Sequence, residues 1–251
     1  MIMKTYTTSF CKPSAGNISA HSARLGTFAA KLAAVAILLS VMTLTSIRPV
    51  EAQEVSTGAD VVSTYVWRGV AYSGPSLQPY LEVSAGSFTI GGWGSQGYDG
   101  FQEMDLYASY SFDFGLSIGI TDYYYPGSPW FSFTEDADAG DSSSHAFELN
   151  AGYETGAFSF SANYILNEAS GAGSAGGDTY FEFGYSMGAA DVFAGAGDGW
   201  HSSDGEFALV NVGVTASKEI KITESFSLPM FGSVVLNPDS EQLYILAGIS
   251  F

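Results

Sequence analysis

Cysteine is nearly missing from this chain: Cys11 is its single thiol. It lies ahead of an apolar run expected to be removed, so the remainder can form no disulfide, thiolate metal site or cysteine redox couple. Base is scarce too. Eight lysines and arginines stand against 26 acids, and five of them (Lys4, Lys12, Arg24, Lys31, Arg48) precede residue 53. Beyond that point only Arg68, Lys218 and Lys221 face 25 acids (26 less Glu51), a formal charge of −22. Such a balance repels nucleic acid and disfavours phosphate or other anionic ligands. After Leu44 no segment has the length and continuous apolarity of a membrane helix.

The apolar run 32–44, LAAVAILLSVMTL, is too short to span a bilayer comfortably and follows a basic stretch. It reads as the core of a signal peptide, with Val50-Glu51-Ala52 as the cleavage site. The expected organisation is a cleaved signal peptide at 1–52 and an exported domain at 53–251.

That domain has the alternation of β-strands, rich in aromatics and punctuated by glycine. Twelve strands are predicted, at 58–69, 77–85, 88–95, 102–113, 116–125, 146–154, 157–167, 179–187, 192–199, 207–217, 225–236 and 241–251, with ten as the alternative count. Tight turns at Gly86, Gly115, Thr155-Gly156, 188–191 and 220–224 alternate with longer polar links. In the last strand Leu243, Ile245, Ala247, Ile249 and Phe251 share one parity, and the closing aromatic has the form of a barrel-assembly signal. The fold class is therefore all-β, an antiparallel up-and-down transmembrane β-barrel.

Facing patterns sharpen this reading. Met104, Leu106, Ala108, Tyr110 and Phe112 oppose Glu103, Asp105, Tyr107, Ser109, Ser111 and Asp113, and only a wet interior accepts the second set. The predicted lumen-lining charges are Asp60, Arg68, Glu82, Glu103, Asp105, Glu148, Glu154 and Glu182, with Arg68 on the first strand and paired to Glu82 or Glu103. Phe88, Phe112, Tyr153, Phe158, Tyr185, Phe226 and Phe251 form one aromatic girdle, and Tyr65, Trp67, Tyr124 and Tyr164 the other. Asp122, on the lipid parity, and Pro229, inside a strand, fit poorly.

At Ser63-Thr64-Tyr65-Val66-Trp67-Arg68-Gly69, then Gln78-Pro79 and Gly92-Trp93-Gly94-Ser95, the chain resembles the TorF-family porins, small Gram-negative outer-membrane barrels. The likeness covers the first three strands and, in general style, Gly248-Ile249-Ser250-Phe251. It implies passive transport and carries no catalytic residues.

Other motifs have plainer explanations. Gly171-Ala-Gly173-Ser-Ala-Gly176 spells a dinucleotide turn but lies between strands, so a loop is expected. His145 and His201, near the outer rim with Asp136, Asp138, Asp141 and Asp204, match no metal-ligand spacing. The leading function is a porin-like outer-membrane channel for small solutes, cation-preferring or weakly selective; no catalysis, cofactor or metal is expected. The alternatives are a non-transporting structural or surface-interaction barrel, and a lipid hydrolase in which a rim histidine activates Ser144 or Ser202. The lumen is either water-filled or packed by its own side chains. The link 126–145, with Trp130, Phe131 and Phe133, either enters the mouth as a constriction or packs against lipopolysaccharide. Expected partners are outer-membrane lipids and lipopolysaccharide, the barrel assembly machinery and small solutes.

Overall fold

The computed structural model describes residues 53–133 and 143–251. The signal-peptide segment and Asp136, Asp138 and Asp141 lie outside the described residues. Sixteen strands and one short 3-10 helix follow in chain order: β1 (Glu54–Val62), β2 (Tyr65–Trp67), β3 (Val70–Ser73), β4 (Ser76–Ala85), β5 (Phe88–Gly97), β6 (Gln102–Ser111), β7 (Leu116–Tyr124), β8 (His145–Thr155), β9 (Phe158–Ile165), β10 (Glu168–Ala169), β11 (Ser174–Ala175), β12 (Thr179–Ser186), β13 (Ala190–Gly197), the helical turn Gly199–His201, β14 (Ala208–Lys221), β15 (Ser227–Asn237) and β16 (Gln242–Ser250).

Twelve of these strands close into one antiparallel barrel in which chain neighbours pair and β1 meets β16. The other four make two separate two-stranded sheets, β2–β3 and β10–β11. Short turns gather at one end, where Gly86, Gly115, Gly156 and Gly188 all take positive φ, a conformation glycine adopts without steric cost. The longer links gather at the other.

The register fixes both faces. Tyr107 pairs with Gly91 and Thr121, which puts the polar parity of β6 in line with that of its neighbours. On the opposite parity Leu81, Ile90, Leu106, Phe160, Phe183, Leu243 and Ile245 are exposed around the wall. A closed barrel with an apolar outer wall and carboxylates on its inner face is built for a bilayer, since closure leaves no unpaired edge in hydrocarbon.

Two irregularities of the wall, at Pro229 and in β13, have local explanations. Pro229 lies beyond the last β15–β16 pair, Met230↔Ile249, so its missing N–H costs that ladder nothing. The weakly patterned strand β13 carries a register shift at Gly195/Ala196, which leaves Val210 of β14 without a partner across the ladder; this is a β-bulge. The first strand departs from expectation. It ends at Val62, and the residues predicted to continue it form the separate hairpin β2–β3.

Candidate functional site: a hairpin seated in the lumen

Hairpin β2–β3 folds into the loop end of the barrel. Tyr65 packs on Trp93 of β5 at 5.5 Å between ring centroids. Trp67 lies 5.5 Å from Tyr123 of β7 and 5.4 Å from Trp200. Both belong to the interior, which corrects their assignment to the outer aromatic girdle. A cluster of Tyr123, Ala146, Ile165 and Ala169, with Trp67, Tyr125, Ala172 and Trp200 against it, fills this half of the lumen.

The hairpin tip is its most constrained point. Arg68 (φ 48) and Gly69 (φ 82) are consecutive left-handed residues. A Cβ at Gly69 would stand 1.9 Å from the Val210 carbonyl oxygen, which the bulge in β14 brings to this site. Glycine is required there twice over, by conformation and by space. Asn237 of β15 completes the seat by donating from Nδ2 to the Gly69 carbonyl at 3.1 Å.

Arg68 is held on every side. Nη1 and Nη2 donate to Oε2 and Oε1 of Glu148, each at 2.7 Å. The guanidinium carbon sits 4.2 Å from the Trp67 ring centroid and 4.4 Å from that of Tyr180. Nη1 also approaches His201 Nε2 at 3.4 Å. That nitrogen must be the acceptor, and burial beside the guanidinium pulls the His201 pKa down to about 3, so the ring is neutral. The partner is thus Glu148 and neither Glu82 nor Glu103: Arg68 is at the tip of an inward hairpin and not on the first barrel strand, so its reach differs from a strand position's.

The inner carboxylates fall into distinct environments. Glu148 is fully buried and takes a further bond from Asn150 Nδ2 at 2.6 Å. Glu82 accepts from the Tyr107 hydroxyl at 2.8 Å. Glu182 accepts from Asn211 Nδ2 at 2.8 Å and from the Tyr180 hydroxyl. Glu103 receives the Tyr125 hydroxyl at 3.2 Å on one oxygen. Its other oxygen, and Oδ1 of Asp105, are buried with no hydrogen-bond partner. Asp60 pairs with Gln78 and Ser250 on the inner parity. Glu154 lines a cavity of about 360 Å³ towards the turn end with Ser117, Gly152, Ser159, Ser161 and Glu182. Phe251 closes the seam: its N–H donates to the Ala59 carbonyl at 3.0 Å, and Ala59 N–H donates back to Phe251 at 3.3 Å.

A second arrangement lies on the outside of the wall. Asp122 shares the outward parity of Leu106 and Phe147, with no break in register. Its two oxygens meet Nδ1 of His145 at 2.9 and 3.0 Å. His145 Nε2 donates to the Trp130 carbonyl at 2.7 Å, and Phe133 and Tyr124 stack on its ring at 4.3 and 5.0 Å. Residues 126–133 therefore cover the outer face of the wall and do not enter the mouth. Ser143 Oγ donates to the His145 carbonyl at 2.8 Å, and no serine hydroxyl occupies Nε2 among the described contacts.

Gly171–Gly176 spans the β10–β11 hairpin with no helix following it, so the phosphate-binding context is absent. No group of three or more His, Cys, Asp or Glu suited to a metal occurs among the described residues. The role of hairpin β2–β3 had no sequence signal beyond Arg68-Gly69, a cation followed by the one residue type that freely turns left-handed.

The wall, the inner carboxylates and the seated hairpin define a β-barrel protein of the outer-membrane type. The chain belongs to the family described as bacterial protein of unknown function (Gcw_chp), whose model matches residues 47–215. No curated protein matches it. Among solved structures it is similar to one described under "Asymmetric conductivity of engineered proteins" (13% identity, TM-score 0.39, 74% of this chain and 63% of that one). It therefore spans less than two thirds of that chain's length. It is also similar to a mutant of the Rh. blastica porin (15% identity, TM-score 0.38, 80% and 73% covered) and to outer membrane phospholipase A from Escherichia coli (12% identity, TM-score 0.39, 77% and 90% covered). Likeness at this level says nothing of what the chain does.

Proposed function

We propose that the protein is an outer-membrane channel for passive diffusion of small solutes, preferring cations, with hairpin β2–β3 as a removable closure. The observation that carries this reading is that the hairpin forms its own two-stranded sheet and shares no ladder with the wall. It is fastened by side chains and by one Asn237 bond to its backbone, so it can leave the lumen while the barrel stays closed. Inner carboxylates and the turn-end cavity that Glu154 and Glu182 line would then face a continuous path, whose charge favours cations. Lipids and lipopolysaccharide around the wall, and the assembly machinery for insertion, are the partners this reading entails, and the resemblance of residues 63–69 to the TorF-family porins agrees with it. Planar-bilayer recordings test it. The intact chain should open rarely, and a variant with 64–73 replaced by a short Gly-Ser link should conduct steadily and select for cations. Silent bilayers from that variant, once folded, would defeat the channel reading.

The aromatic packing of the loop end supports a second reading, a non-transporting barrel closed for good. Under it, replacement of the hairpin costs stability and yields no current.

A further inference from the structure

We propose that the pocket holding Arg68 is a recognition site for guanidinium-bearing solutes, which displace Arg68 as its tethered occupant. This deepens the channel reading and rests on it.

The wall supplies most of the pocket without the hairpin. Glu148 presents both oxygens to a planar fork at 2.7 Å, and Asn150, itself bonded to Asn163 Oδ1 at 3.0 Å, fixes the carboxylate's rotation. Tyr180 offers its ring face to the cation, and the Asn211 amide holds its hydroxyl at 2.9 Å. His201 turns a lone pair toward the site. Two parallel N–H donors against a carboxylate, under an aromatic face, fit a guanidinium and satisfy an ammonium only in part.

Two further observations point to an external cation. Glu103 Oε2 and Asp105 Oδ1 sit on the same inner wall, in side chains more than nine-tenths buried, with no partner. Among the described residues no base is left for them: Arg68 is committed to Glu148, and Lys218 and Lys221 are exposed at the turn end of β14. A solute with a second positive charge would meet these oxygens once the hairpin withdraws, and the ring of Trp93, which stays on the wall opposite Asp105, suits a cation. Arg68 also holds its place at φ 48, an unfavourable conformation for a residue with a side chain. A free guanidinium incurs no such strain, so it competes despite the advantage of the tether. An anionic solute is excluded, because both terminal nitrogens of Arg68 already face a carboxylate.

The test is tryptophan fluorescence of the refolded full chain in detergent, since Trp67 leaves Trp200 when the hairpin moves. Argininamide should give a saturable change, lysinamide a response about ten-fold weaker, and the neutral isostere citrullinamide none. In Arg68→Gly, where glycine accepts the positive φ, the internal competitor is gone, and argininamide should bind at least about ten-fold tighter than in the wild type. Equal responses to argininamide and lysinamide, or no response to either, would overturn the site. Should Arg68→Gly fail to fold, the wild-type comparison of argininamide with citrullinamide decides alone. Binding with silent bilayers would keep the site and remove the channel, whereas conductance without binding would do the reverse.

Discussion

Asn237, on the strand next to the last, holds the Gly69 carbonyl at the tip of the lumen hairpin at a distance of 3.1 Å. The two residues are 168 positions apart, and their bond ties a loop to a strand two places from β1 around the barrel. The Gly69 side of this contact admits no side chain, because its φ is positive and a Cβ would strike the Val210 carbonyl. Gly69→Ala should therefore unseat the hairpin, raise the frequency of openings in planar bilayers and expose Trp67 to quenchers. Its stability cost should be about 1–3 kcal/mol, read from unfolding in detergent. Asn237→Ala keeps the backbone fit but also takes the Oδ1 acceptor from the Asp239 and Ser240 N–H groups, so it should cost about 1–3 kcal/mol while unseating the hairpin less than Gly69→Ala.

His201 gives a pH prediction. Its pKa falls from 6.5 unfolded to about 3 folded, so below pH 6.5 the unfolded chain binds a proton that the folded chain refuses. Stability from this group is complete above pH 6.5 and is lost progressively as the pH falls toward 3. His201→Gln cannot titrate. The difference in unfolding free energy between the two proteins should narrow across that window, and a constant difference would count against a neutral His201 accepting from Arg68.

On the outer wall, Asp122 and His145 form a pair with little solvent access, His145 fully buried and Asp122 15% exposed. Removing one partner strands the other, at about 3–5 kcal/mol, whereas replacing both with apolar residues costs much less. Asp122→Leu and His145→Leu should each lower the temperature at which the folded band disappears on semi-native gels. The double substitution should recover most of the loss. Simple additivity of the two would indicate that residues 126–133 are held by their aromatic stacking alone.

The selectivity of any current follows from the inner charges. Seven named acids against Arg68, itself neutralised by Glu148, should shift reversal potentials toward the cation value under a salt gradient. Glu182→Gln, at the turn-end cavity, should reduce that shift. Anion preference would be incompatible with the inner parity assigned by the register.

The barrel was legible in the chain because alternation survives wherever one face meets lipid. Leu243, Ile245 and the β6 residues Met104 and Leu106 announce the outer wall one by one, and the turn glycines mark the strand ends. The hairpin was not legible, because Tyr65 and Trp67 carry the same alternation inside a lumen as they would in a strand facing lipid. Parity distinguishes two faces but cannot tell a wall from a piece folded within it. Its parity marks Arg68 as a lumen cation paired to a carboxylate, yet the choice of partner depends on where the hairpin points, and Glu148 lies 80 residues away. Asp122 broke the pattern for a related reason. Its cover comes from the following loop and not from its own strand, a contact that no local period records.

The β1–β16 seam rests on three residue pairs, Asp60↔Ser250, Val61↔Ile249 and Val62↔Gly248, extended by bonds such as Ala247 N–H to Ser63 Oγ across 184 residues. Every other junction of the wall joins strands adjacent along the wall's own order of hairpins, where loop-closure entropy is small. Assembly thus has a built-in chronology: hairpins zip early, and the one long-range ladder is the slow step that ends the process. The lumen hairpin hangs from the very strand that takes part in this last step. Its seat is made of Glu148, Val210 and Asn237, on three different strands that come together only when the sheet has curled shut, so the barrel must close before its lumen can receive the hairpin.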